Sequence, residues 1–261
     1  LDPLLRDRRD RLFGILNGVD YETANPATDP HIATNYDSTT LEQRLENKLA
    51  LQREAGLPEN PRVPLIGIIS RLTDSKGFDI LGEAIDHILD LGVQFVLMGT
   101  GDQHYHELFS QMVQQYPRQA AIFLTFNTPL AQRIYAGSDM FLMPSRFEPC
   151  GTSQLIAMHY GSVPIVRATG GLADTVQDYD PRTEHGTCFV FKPYDGWALF
   201  GAIVRAVEIY KHRDLWRQIQ LMGMHADFSW ERSALKYVDL YRRAIASRLQ
   251  RPGLEEYQVQ A

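Results

Sequence analysis

Residues Val63 to Ser70, VPLIGIIS, form a nearly unbroken apolar run without alternation. A strand of that composition has to be covered on both faces, which is the situation of a parallel sheet packed between helices. Similar runs return at Gln94–Met98, Ala121–Phe126, Asp139–Met143, Ser162–Arg167 and Thr187–Phe191. Helical spacing fills most of the gaps. Phe78 to Leu91 stops at Gly92, His104 to Tyr116 stops at Pro117, and Leu130–Ala136 and Thr152–Tyr160 read as shorter helices. Strands that alternate with helices pair in parallel through right-handed crossovers, so the expected fold class is α/β with a doubly wound parallel sheet.

The flanks are different. Leu1 to about Asn60 has no strand–helix rhythm and carries the turn signal Asn17-Gly18, Pro26, Pro30 and a polar run through Asp37-Ser38-Thr39-Thr40. Thr39 or Thr40 can cap a helix from Leu41 to Ala55 that stops at Gly56. Toward the other end, Trp197–Lys211 and Leu215–Ala226 are amphipathic, and Ser229 can cap a further helix to about Arg248. The expected organisation is a hinge and lead-in segment over 1–60, a nucleotide-binding sheet domain over 61–228, and a helix and tail over 229–261.

Charge and cysteine usage narrow the chemistry. A net charge of -6 argues against nucleic acid as the main partner. Two cysteines, Cys150 and Cys188, supply neither a disulfide framework nor a zinc spacing. His104 and His106, two apart, fall on different helix faces, so no metal site is expected. No apolar run reaches the roughly 18–20 residues that span a bilayer, and the chain opens on Leu1 without a signal-peptide pattern. The expectations are no membrane partner, a reducing compartment, and a piece of a longer or processed protein.

In an open parallel sheet, ligands bind beyond the carboxyl ends of the strands, where strand order reverses. The first strand leads into Ser70-Arg71-Leu72 and then Lys76-Gly77, the second into Gly99-Thr100-Gly101-Asp102. Arg71 can fork onto phosphate oxygens and Lys76 can add a point charge, a pairing suited to a diphosphate. Gly99 and Gly101 mark a tight strand-to-helix turn that also lets a nucleotide approach the backbone. His104 stands where a dinucleotide fingerprint needs its third glycine, which removes the NAD(P) reading. Phe126 is suited either to the core or to stacking on a base. The fourth strand leads into Pro144-Ser145-Arg146-Phe147-Glu148-Pro149-Cys150-Gly151-Thr152-Ser153. There Glu148 can bond sugar hydroxyls while amides after Gly151 hold phosphate, although capping a helix is an alternative role for the carboxylate.

Several blocks recur together in one order: Leu16-Asn17-Gly18-Val19-Asp20, Ser70-Arg71-Leu72 with Lys76-Gly77, Gly99-Thr100-Gly101-Asp102, Arg146-Phe147-Glu148-Pro149-Cys150-Gly151, Thr169-Gly170-Gly171-Leu172-Ala173-Asp174-Thr175-Val176, and Asp227-Phe228-Ser229-Trp230. In that order they resemble the C-terminal half of bacterial glycogen synthases and plant starch synthases, from about Leu12 to Ile245. The resemblance implies a Rossmann-like C-terminal lobe of a two-domain (GT-B type) retaining glycosyltransferase with a helical C-terminal extension. It implies ADP-glucose as donor, the non-reducing end of an α-1,4-glucan as acceptor, and no cofactor. By the same resemblance Arg71 and Lys76 neutralise the diphosphate, Glu148 with Cys150 and Gly151 faces the glucose, Thr152 and Ser153 donate to phosphate, and Phe126 stacks on the adenine. Many related transferases place a ribose-binding glutamate eight positions after the first; here that position is Ile156, and the glycogen/starch branch also usually lacks the glutamate.

The resemblance also implies an N-terminal lobe with a Lys-x-Gly-Gly-Leu loop and most of the acceptor groove. The expected location is cytoplasmic for a bacterial protein and the plastid stroma for a plant one, and the 261-residue chain alone is expected to be inactive. Two alternatives stay open: a retaining transferase that uses a UDP-sugar, and a non-catalytic carbohydrate-binding or regulatory module.

Overall fold

In the computed structural model, which describes residues 2–249, each apolar run contains a strand. These are β1 (Leu65–Ile69), β2 (Gln94–Met98), β3 (Ala120–Phe123), β4 (Met140–Met143), β5 (Val163–Arg167) and β6 (Phe189–Phe191). All neighbours pair in parallel, in the order β3-β2-β1-β4-β5-β6. The direction of winding therefore reverses between β1 and β4, and the doubly wound sheet is borne out.

The helices are α1 (Asp2–Asp7), α2 (Arg44–Glu54), α3 (Phe78–Asp90), α4 (Gln103–Gln115), α5 (Thr128–Gly137), α6 (Ser153–His159), α7 (Gly170–Thr175), α8 (Gly196–Tyr210), α9 (Arg213–Met224) and α10 (Trp230–Leu249). Successive strand residues point to opposite faces, so the sheet splits its apolar side chains between two cores. Ile66, Ile68, Phe95, Leu97, Met140 and Leu142 join one core with α3 and α8. Leu65, Val96, Met98, Phe141 and Met143 join the other with α5 and Leu51 of α2.

By contacts, Tyr21–Ala226 is one compact unit, and the described residues of Leu1–Asp20 and Asp227–Ala261 form a second. In the second unit Val19 and Ser229 form a parallel bridge, with the Val19 amide donating to Phe228 over 2.7 Å. Ser229 caps α10 by accepting from the Arg232 amide at 3.4 Å, as its place in the sequence suggests.

α2 is joined to the sheet by polar groups. It buries Arg44, Asn47, Lys48, Leu51 and Gln52, a stripe at helical spacing that is mostly hydrophilic. Lys48 Nζ lies 2.6 Å from Asp139 Oδ2, and the same carboxylate oxygen accepts from the Leu65 amide at 2.8 Å. The pair thus ties α2 to the beginnings of β1 and β4. Arg44 donates to the carbonyls of Tyr160, Tyr135 and Ser138. Because buried charges have to be paired and hydrogen-bonded, this network fixes where α2 sits.

Four local expectations are corrected. The third strand ends at Phe123, not Phe126, because β2 gives way to Gly99 after Met98 and leaves Leu124 onward without a partner strand. Asp2–Asp7 is helical in a stretch expected to lack strand–helix rhythm. The helix expected over Leu41–Ala55 begins instead as a 3-10 turn, Leu41–Gln43. Neither Thr39 nor Thr40 caps it; Asp37 Oδ1 accepts from both threonine amides, which closes the preceding turn.

Candidate active site

The switch point between β1 and β4 sets the site. β1 passes through Ser70 into Arg71 and then into a 3-10 turn, Asp74–Lys76, which ends at Gly77 with φ of 78°. A side chain at Gly77 would both occupy the left-handed region and overlap the Pro144 carbonyl oxygen, so only glycine lets the two strand-end loops meet. Beside it the Arg146 and Phe147 amides donate to the Ser75 carbonyl at 3.0 and 3.3 Å. That backbone clasp brings Lys76 to Glu148.

Lys76 Nζ donates to Glu148 Oε2 over 2.6 Å, and Ser145 Oγ donates to the same oxygen over 3.2 Å. Glu148 is 9% exposed, so its carboxylate sits in the floor of the crevice and not on the rim. Arg71 is exposed and forms no ion pair or side-chain hydrogen bond among the described residues. The crevice thus holds one neutralised charge pair and one free guanidinium.

The β5 end closes the other side. The Gly171 amide donates to the Glu148 carbonyl at 3.0 Å, and Arg167 donates to the Arg146 carbonyl at 3.0 Å. Gly170 and Gly171 lie so close to the carbonyls of Glu148 and Cys150 that neither leaves room for a β-carbon. The Gly170-Gly171 signature is therefore a packing requirement that holds the Glu148 loop. Arg146 acts structurally too: it bonds Asp79 at 2.8 Å and stacks on Tyr194 with its guanidinium carbon 4.2 Å from the ring centre. Partial burial works against ionisation of Asp79, but hydrogen bonds from Tyr194 and Arg146 outweigh it and hold the carboxyl below its ordinary value.

Gly99 and Gly101 hold the β1 loop on its other flank. Leu72 pairs with Gly101 in a parallel bridge, donating to Thr100 at 3.0 Å and accepting from Asp102 at 2.8 Å. The two glycines face the carbonyls of Ser70 and Leu72 with no space for a side chain. Their closest neighbour is thus the backbone around Arg71.

Gly151 adopts φ of 69°. Gln154 braces that turn, donating through Nε2 to the Gly151 carbonyl at 2.9 Å and Thr175 Oγ1 at 3.0 Å. Thr152 and Ser153 follow at the start of α6, with Thr152 exposed and making no side-chain cap. Cys150 is half-buried and reduced.

Phe126 stands apart from the Glu148 cluster, 61% exposed at the lip of a cavity of about 330 Å³. Ile69 and Met98, at the ends of β1 and β2, line it with Asn127, Gln132, Tyr135 and Ile156. Asn127 caps α5 by accepting from Leu130 at 3.0 Å. Gln132 Oε1 is buried with no hydrogen-bond partner among the described residues, an acceptor in the wall of an apolar cavity. Ile156 makes that wall greasy where a carboxylate would make it polar.

Gln132 and Gln154 were not legible in the sequence as site residues. Both are glutamines inside helices, and only their burial reveals them. Among the described residues no group of three or more His, Cys, Asp or Glu side chains could hold a metal ion. No described helix is long and apolar enough to cross a membrane.

Residues 51–220 match the family described as "Glycosyl transferases group 1". The chain belongs to that family. Among its relatives are the glycogen synthase of Kosmotoga olearia, 50% identical over 247 residues (95% of this chain, 52% of the relative), and that of Gloeobacter violaceus, 51% identical over 247 residues (94% and 54%). The chain spans about half the length of the curated relatives it matches. The catalytic domain of starch synthase IV from Arabidopsis thaliana, solved with ADP and acarbose, superposes with a TM-score of 0.87 at 39% identity, covering 94% of this chain and 51% of that one. The sucrose-phosphate synthase of Thermosynechococcus elongatus, 23% identical with a TM-score of 0.57, shares the fold. The resemblance to the glycogen/starch synthase branch is therefore borne out, and this group 1 glycosyl transferase chain is a domain of that type.

Proposed function

We propose that this chain is the donor-binding half of a retaining glucosyltransferase that moves glucose from ADP-glucose to the non-reducing end of an α-1,4-glucan. The observation that carries the reading is the Lys76–Glu148 pair at the switch point, 2.6 Å apart, beside the free Arg71. The cavity under Phe126 opens at the ends of β1 and β2 and suits an aromatic base. Likeness to glycogen synthases and to a starch synthase solved with ADP supports the donor and the acceptor.

The chemistry follows from charge. Breaking the bond between the anomeric carbon and phosphate leaves negative charge on the diphosphate and positive character on the sugar. Arg71 and Lys76 are cations at the strand end that gain interaction energy as that charge develops, so they favour the transition state over the bound donor. Glu148, set by Lys76 and Ser145, is placed to accept from sugar hydroxyls, and its charge favours the cationic sugar. Same-face substitution, in which the leaving phosphate takes the acceptor proton, requires no protein nucleophile. The acceptor is held largely by a second lobe.

Calorimetry on the chain with ADP, UDP and a maltooligosaccharide tests the donor. ADP binding that is stronger than UDP binding and lost on Arg71→Ala supports the proposal. Equal or stronger UDP binding favours a UDP-sugar enzyme. Glucan binding that is indifferent to ADP and to Arg71 favours a carbohydrate-binding module.

A further inference from the structure

The opposite edge of the sheet, where β1 and β4 begin, carries another cavity of about 480 Å³, into which several charged side chains project. Its floor is the Lys48–Asp139 pair, and its walls bring together Arg62, from the turn before β1, and Arg213 and Arg217, one turn apart on α9. On a protein whose net charge is -6, three arginines converging on one cavity are an excess that the fold does not explain.

The carboxylates facing the cavity do not cancel them. Asp139 is already engaged by Lys48 at 2.6 Å and has Arg44 at 4.0 Å. Glu42 reaches only Arg217, at 3.5 Å. The Arg62 guanidinium is exposed and forms no ion pair among the described residues. Arg213 lies flat on the Tyr210 ring, 3.9 Å from its centre, and makes one long contact to the Arg62 carbonyl at 3.4 Å. Stacking fixes the plane of that guanidinium, which is preorganisation for a planar or tetrahedral oxyanion. Burial and the neighbouring Arg213 and Arg44 charges also pull the Lys48 ammonium below its ordinary value, against the attraction of Asp139. The cavity is thus short of negative charge.

We propose that this cavity is an anion site, separate from the donor crevice, that takes the phosphate group of a small phosphorylated metabolite on Arg62, Arg213 and Arg217. The volume admits a phosphate carrying a sugar-sized substituent, and the exposed Leu45 in its wall offers that substituent an apolar surface. Its floor contacts the first residues of the two strands whose far ends hold Arg71 and Glu148, through the Asp139 link to the Leu65 amide.

The test is a titration of the chain with inorganic phosphate and with a hexose monophosphate, by calorimetry, with ADP present at saturation to block the donor crevice. Binding is expected to persist under ADP and to be stronger for the hexose monophosphate than for phosphate alone. Arg62→Ala and Arg217→Ala, both surface changes that leave the fold intact, should each weaken it about tenfold, the worth of one charge-assisted hydrogen bond, and leave ADP affinity unchanged. Arg71→Ala should do the reverse. Equal affinity for the two ligands assigns the site to free phosphate alone and removes the sugar-sized substituent. Anion binding that disappears under ADP, or that survives both arginine changes, overturns the site.

Discussion

Arg71 and Lys76 carry the same charge into the same crevice but stand in different surroundings. Arg71 is exposed and unpaired among the described residues, whereas Lys76 neutralises a nearly buried Glu148. Removing either should weaken ADP binding by roughly 1.5–3 kcal/mol, the worth of a hydrogen bond to a charged group. Their effects on stability should separate. Arg71→Ala should melt like the parent, while Lys76→Ala leaves the Glu148 carboxylate without its cation and should lower the melting temperature. Paired calorimetry and thermal melts on the two variants check this; ADP affinity unchanged in both removes the diphosphate assignment. Glu148→Gln preserves the shape but not the charge. In the complete enzyme it should retain ADP affinity and lose most turnover, since the proposed mechanism sets it against the sugar. Loss of ADP binding with turnover per bound donor preserved would reassign it to the nucleotide.

At the scale of elements, the loops are held by backbone contacts that no side chain could replace. Gly77 and Gly92 are a controlled pair, both left-handed, at φ of 78° and 74°. A β-carbon on Gly92 meets open space, but on Gly77 it meets the Pro144 carbonyl. Gly92→Ala should therefore cost only the backbone term, about 1–2 kcal/mol. Gly77→Ala should cost clearly more and also weaken ADP binding, because it pushes apart the loops that carry Lys76 and Glu148. Denaturant melts of both variants decide it, and equal losses would show that the clasp at Ser75 is not what holds the crevice. The same contrast explains what the sequence could reveal. The strands were legible because each is an apolar run bounded by turn residues, and the site loops were legible because a parallel sheet puts ligands after such runs. The buried face of α2 was not. Arg44, Asn47, Lys48 and Gln52 recur at helical spacing but are hydrophilic, so a search for apolar periodicity passes over them. Phe126 was placed at a strand end and lies three residues beyond it, because a strand stops where its neighbour stops. The cavity glutamines were hidden for a related reason: burial makes them informative, and burial is a property of the assembled sheet.

For the whole molecule, the relevant quantity is the distance between bound donor and acceptor. The sheet, both cores and the α2 network lie within Tyr21–Ala226, so this unit has what it needs to fold. In the proposed reading Arg71 and Lys76 supply the donor phosphate contacts, and the chain spans about half the length of its curated relatives. Holding two reactants in near-attack geometry can be worth about 7–11 kcal/mol of a barrier, many orders of magnitude in rate. A half that fixes the donor and leaves the acceptor to diffuse forgoes most of that. The isolated chain should accordingly give a cooperative melt and bind ADP, yet transfer no measurable glucose from ADP-glucose to glycogen. Supplying the remaining half of a close relative, fused or co-expressed, should restore transfer, and Arg71→Ala in the reconstituted enzyme should abolish most of it again. Robust elongation by this chain alone would mean that its own surface holds the glucan, and the two-lobe account would have to be given up.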